Sequence, residues 1–97
     1  MLTGAQKTKL RGLGQLMEAR LIIGQAGLSP TVLAELNRLL STHELVKLRF
    51  AGADRHQRAA LSEAIALQAP AEHAGSVWAT ALFYRQQPDE AKRTIEF

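Results

Sequence analysis

Leu21-Ile22-Ile23-Gly24-Gln25-Ala26-Gly27-Leu28-Ser29-Pro30 is the stretch that decides how this chain folds. Its aliphatic opening, Leu21 to Ile23, reads as a buried strand, and that strand runs straight into a GxxG turn. Glycines three apart let the backbone turn tightly and leave it bare of Cβ atoms, so that a ligand can come close. Ser29 is then a natural N-cap. Pro30 suits the first helical position, because the N–H it lacks has no partner there in any case. The helix opened in this way places further unpaired N–H groups beside the turn. A strand, a glycine turn and a helix start in this order predict a backbone surface that suits a phosphate chain. The plainer reading is that Gly24 and Gly27 only shape a strand-to-helix turn.

Downstream, Val32, Leu33, Leu36, Leu39 and Leu40 recur at helical spacing, with Glu35 and Arg38 turned outward, and the helix should end near Thr42. From Leu45 to Phe50 the period changes to two. Val46, Leu48 and Phe50 then face the core, while Lys47 and Arg49 project from the other side. Asp54 can cap a third helix that carries Leu61, Ile65 and either Ala66 or Leu67 inward, presents Arg55 and Arg58 on its first exposed turn, and stops at Pro70. A weakly marked strand lies within Ala71 to Val77, and a stronger one runs from Trp78 or Ala79 to Arg85. Alternation puts Trp78 and Tyr84 on one face and Phe83 on the other, where aromatic residues read as core before they read as a stacking platform. Gln87-Pro88-Asp89 breaks the pattern, dividing a domain over residues 1–87 from a polar tail over 88–97.

Upstream, a helix is expected from Thr3 to Glu18, with Leu10, Leu13 and Met17 forming its apolar stripe. Lys7 and Arg11 share another face, with Lys9 to the side; Gly12 and Gly14 weaken this helix and mark either close packing against a neighbour or an early end to regular structure. The full order is a helix followed by β-α-β-α-β-β. Such alternation predicts an α/β fold, an open sheet with at least one parallel pair and right-handed crossovers, covered by helices, for which an α/β sandwich is the simplest outcome.

Composition narrows the function. With 97 residues, 46% hydrophobic and 22% charged, the chain has the usage of a single globular domain. Its net charge of +3 permits a polyanionic partner without requiring one. Cysteine is absent, which removes disulfides and thiol chemistry. His43, His56 and His73 have no metal-ligand spacing, and no GxSxG elbow, Walker loop or GxGxxG is present. The expectation is therefore a non-enzyme with no catalytic residues, no metal and no cofactor. No apolar run approaches a membrane span and the N-terminus lacks a signal pattern, so the chain is expected to be cytoplasmic and without a membrane partner; a monomer is expected as well.

The candidate site consists of Gly24, Gln25, Ala26 and Gly27 together with the cations that flank them. On the first helix these are Lys7, Lys9 and Arg11; on the second strand, Lys47 and Arg49; elsewhere, Arg55 and Arg85. Long cations beside glycine-exposed N–H groups are what a sugar-phosphate chain requires. Single-stranded RNA modules of the KH type use a GXXG loop in this way. Gln25 would donate a neutral hydrogen bond. With the aromatics assigned to the core, backbone and shape would be read more than base identity.

Leu2-Thr3-Gly4 with Lys7, Ile23-Gly24-Gln25-Ala26-Gly27-Leu28, Glu44-Leu45-Val46-Lys47-Leu48 and Tyr84-Arg85 form, in that order, a set that resembles the YhbY-like CRM domain. The resemblance covers about Leu2 to Arg85. It implies an open α/β sandwich with a four-stranded mixed sheet, a GxxG loop that contacts RNA and, for stand-alone bacterial members, association with precursors of the large ribosomal subunit. Ribosomal RNA or a pre-ribosomal particle is thus the expected partner, and DNA is not. The chain also departs from the family's pattern. Gln25 stands where members commonly carry Lys, Trp78 stands where a glycine is usual, and the segment with His73 and Gly75 is less apolar. An alternative from another class is a protein-interaction module whose RNA contact is incidental, for which Gln25 and the modest charge speak.

Overall fold

A computed structural model of the chain describes residues 1–24 and 26–97. Its elements are α1 Gly4–Gln15, β1 Leu21–Ile23, α2 Pro30–Thr42, β2 Leu45–Phe50, α3 Arg55–Gln68, β3 Glu72–Val77 and β4 Thr80–Tyr84, followed by a short 3-10 turn at Glu90–Lys92. Each α-helix begins at a side-chain cap. Thr3 and Gln6 form a reciprocal capping box on α1, as do Asp54 and Gln57 on α3, and the Ser29 hydroxyl accepts from the Val32 N–H at 3.2 Å.

The strands pair in the order β1-β2-β4-β3, with β1 parallel to β2 and the other pairs antiparallel. The α2 crossover connects the parallel pair, as the alternation of elements requires. Helices cover both faces of the sheet. The core between the sheet and α2 and α3 is built from Ile23, Leu36, Leu40, Val46, Leu48, Phe50, Ile65 and Phe83; that on the α1 side from Leu2, Leu10, Leu45, Ala74, Leu82 and Tyr84. The period-two reading of β2 therefore holds on both sides. Ala66 packs against the core and Leu67 is 77% exposed, which settles the choice between them. Gly14 also behaves as expected of a close contact, since a Cβ there would sit 2.5 Å from Leu82 Cδ1.

Two boundaries differ from expectation. Helix α1 ends at Gln15 rather than Glu18, and the Lys47 ammonium supplies the reason by donating to the Gly14 and Met17 carbonyls, both at 3.1 Å. A cation on the last carbonyls of a helix satisfies acceptors that have no partner within it. Strand β4 begins at Thr80, so Trp78 belongs to the turn between β3 and β4 and not to the strand. Val77 pairs with Thr80, leaving Trp78 and Ala79 as a two-residue hairpin turn with Trp78 at φ 55. An irregularity between His73 and Gly75 leaves Ala74 as the extra residue of β3.

The segment 88–97 is tied to the domain. Glu44, 3% exposed at the end of α2, accepts from the backbone N–H groups of Gln87, Thr94 and Ile95 at 2.8, 2.7 and 3.1 Å. Ile95 then packs on the α1-side core, and Phe97 meets the Tyr84 ring edge-on at 5.7 Å.

Candidate nucleic-acid interface

Because β1 and β2 are parallel, both strands finish at the same end of the sheet, and α2 and α3 begin there. The Ala51 N–H donates to the Ile23 carbonyl at 2.8 Å and the Phe50 N–H to the Ala79 carbonyl at 2.7 Å, so the glycine turn, the loop after β2 and the β3–β4 hairpin lie side by side. Two helix N-termini at this end direct unpaired N–H groups and the positive ends of their dipoles toward one region. Asp54, the cap of α3, offsets part of that field.

Within the glycine turn the two glycines differ. The Gly27 N–H donates to the Gly24 carbonyl at 3.0 Å, and Gly27 has φ 76, a conformation costly for any residue with a Cβ. Gly24 is exposed, its φ lies outside the left-handed region, and nothing comes within 4 Å of the place a Cβ would take. Gly27 is thus required by the fold, whereas only Gly24 leaves open space on the solvent side. A cleft of about 570 Å³ runs from both glycines to Gly52, Gln57 and Leu61. Ala26 is exposed in the same turn; Gln25 lies outside the described residues.

The candidate cations separate into groups. Arg55 is exposed at the start of α3, and Arg58, one turn on, donates to the Ala53 carbonyl at 2.8 Å. Arg49 is exposed on the α1-side face of β2 beside Ile22 and Thr80, its partners in register. Arg11 is exposed on α1 and lays its stem over Gly75, where a Cβ would meet Arg11 Cγ at 2.8 Å. These four stand at or toward the glycine end.

The others do not join them. The Lys47 ammonium is engaged by the α1 carbonyls. Lys7 lies at the start of α1, which the bond from the Leu2 N–H to Glu72 Oε1 at 2.8 Å holds at the opposite end of the sheet. Lys9 donates to the Glu96 carbonyl and sits 5.9 Å above the Phe97 ring. Arg85, at the far end of β4, donates to the Pro70 carbonyl at 2.9 Å, to Asn37 Oδ1 at 2.6 Å and to the Ala69 carbonyl. It fastens the end of α3 to α2, and burial pushes its pKa down.

Trp78 corrects the reading that set it in a strand with its ring assigned to the core. It is 90% exposed at the hairpin tip, while Phe83 and Tyr84 are buried. The signal that marks it is the glycine usual at this position in the family it resembles, since φ 55 is a glycine conformation. Among the described residues no His, Asp or Glu cluster could hold a metal ion, and no helix is long and apolar enough to cross a membrane.

The model of the CRS1 / YhbY (CRM) domain matches residues 2–85 of the chain. A Pseudomonas aeruginosa protein named a probable RNA-binding protein is 37% identical over 91 residues, 94% of this chain and 88% of that one. A Haemophilus influenzae protein named an RNA-binding protein is 34% identical over 91 residues, covering 94% and 91%. In fold, the chain is similar to the solution structure of a hypothetical protein from Staphylococcus aureus, with a TM-score of 0.85, 22% identity, and coverage of 99% of this chain and 100% of that one.

Proposed function

The chain belongs to the CRS1 / YhbY (CRM) domain family, and from that premise we propose that it is a non-enzymatic, cytoplasmic RNA-binding protein that associates with ribosomal RNA in large-subunit precursors. The observation that carries this reading is the shared end of β1 and β2. There an open glycine turn meets the N-termini of α2 and α3, with Arg55 and Arg58 on the first turns of α3. Gly24 and Ala26 would admit a phosphate against the main chain, the helix ends would supply N–H groups, and Arg49, Arg55 and Arg58 would hold the flanking phosphates. No step needs a reactive side chain. Gln25 enters only as the neutral residue of the motif.

Affinity for a transcript of large-subunit ribosomal RNA, measured by fluorescence anisotropy over a salt series, tests the proposal. Neutralising about three phosphates gives a log–log slope of roughly −2 on single strands. Preference for that transcript over an unrelated structured RNA of equal length is expected. An affinity that hardly changes from low to moderate salt would overturn the reading, and equal affinity for both RNAs would remove its ribosomal part. Gly24→Asp should weaken binding with the thermal midpoint unchanged, because the site of the new Cβ is open.

A further inference from the structure

The geometry points to a second element of RNA recognition, and we propose that Trp78 stacks on a nucleobase of a single-stranded segment that continues from the glycine turn over the β3–β4 hairpin. This rests on the RNA-binding reading above and adds to it a base contact.

Trp78 is in an unusual position on three counts. The residue is 90% exposed, so the core gains nothing from its ring. Its φ of 55 is one that bulky residues rarely adopt and that glycine would take freely. It also stands at the end of the sheet where the glycine turn lies, linked to it through the Phe50–Ala79 and Ala51–Ile23 backbone bonds. The hairpin is two strand spacings from β1, roughly 10 Å, a distance a short stretch of nucleic acid covers. A rigid aromatic face held clear of the protein is what base stacking uses, whatever the base.

The surroundings have the chemistry of such a ligand. Between α1 and the hairpin runs a groove of about 660 Å³, lined by Arg11, Gly14, Lys47, Val77, Trp78 and Leu82 among others. No carboxylate occurs among the described residues that line it, and of its two cations Lys47 is held by the α1 carbonyls while Arg11 is exposed, which matches a polyanion with apolar bases. The groove continues onto one row of residues across the sheet, Ile22, Arg49, Thr80 and Val77, each the registered neighbour of the next. Ile22 and Val77 are 54% and 55% exposed, and Arg49 projects between them. On the other side of Trp78, the groove against α3 is lined by Arg55 and Arg58 with a single carboxylate, Glu63, so cations flank the ring on both sides.

The chain has one tryptophan, so its emission reports on this ring alone. Titration with single-stranded oligoadenylate should quench that emission, and a blunt RNA duplex should quench it far less. Trp78→Gly is expected to lower oligoadenylate affinity by about tenfold. Because glycine relieves the positive φ, its thermal midpoint should not fall, which separates lost contact from lost fold. Trp78→Phe should retain most of the affinity. If oligoadenylate binds with the expected salt dependence but leaves the emission and the Trp78→Gly affinity unchanged, the stacking role is overturned and the glycine-turn reading stands. If wild-type protein binds no RNA, both fall. If emission shifts with protein concentration alone and Trp78→Gly dissolves a dimer, the ring serves a second copy, and the proposal fails.

Discussion

The two ends of the sheet both carry ionic side chains and use them in opposite ways. At the end where β4 finishes, Glu44 and Arg85 are turned inward and bonded to main-chain groups, the one gathering the N–H groups of the C-terminal segment and the other the carbonyls of Ala69 and Pro70 just after α3. At the end where β1 and β2 finish, Arg49 and Arg55 stand in solvent, and no ion pair among the described residues engages them. Burial forces a polar group to find partners within the protein, because leaving it unpaired costs more than the pairing gains. Exposure leaves the charge available to something else. The difference between the ends is therefore a difference between charge that holds the fold and charge that can meet a ligand.

Removing Glu44 should break the closed end most severely. Burial alone would push its carboxyl pKa up, but the bonds from Gln87, Thr94 and Ile95 outweigh that and hold it below the ordinary glutamate value. Glu44→Ala would leave three N–H donors without their acceptor and is expected to cost about 3 kcal/mol, read from urea denaturation. The C-terminal segment should become exchange-labile at the same time. Since the folded pKa is the lower one, the stabilisation is complete above the unfolded glutamate value, about 4.3, and is lost as pH falls through the depressed folded value. Glu44→Gln should remove that portion of the acid dependence.

Arg85→Ala comes next, at about 2 kcal/mol, because it strips a part-buried guanidinium from Asn37, Ala69 and Pro70. Its RNA affinity at a temperature where the fold is intact should match wild type. A loss of affinity there would break the division between the ends. Smaller still is Gly27→Ala, expected at about 1 kcal/mol from its positive φ, against Gly24→Ala within about 0.5 kcal/mol. Equal costs at the two glycines would mean that the turn does not distinguish them.

The fold was legible because its signals are local. Ser29-Pro30 and Asp54 open helices, the alternation from Leu45 to Phe50 sets two faces, and the hydrophobic spacing of α2 leaves one solution. The candidate site was legible in its placement only where it too is local, in the glycine turn and the start of α3. Whether a cation is free depends on contacts between residues far apart in the chain. Lys47 is engaged by a helix that ends some thirty positions earlier, Arg85 by carbonyls sixteen and fifteen positions before it, and Lys9 by the far C-terminus. No periodicity encodes those partners. Trp78 escaped for a different reason: alternation assumes that the strand has already begun, and the hairpin places the ring just before it does.

The open end yields the smallest effects on stability and the most direct reading of function. Arg49→Ala and Arg55→Ala remove exposed side chains with no ion pair among the described residues, so each should change stability by less than about 0.5 kcal/mol. Their signature lies in salt dependence instead. Each cation that neutralises one phosphate contributes about 0.7 to the log–log slope on single strands, so each variant should flatten the slope by roughly that amount, while Arg85→Ala leaves it unchanged. Arg49 and Arg55 sit on opposite faces of the sheet, and a strand that touched only one face would flatten for only one of them. Flattening for both places the RNA around the end of the sheet, across the edge where the glycine turn and the hairpin tip stand together.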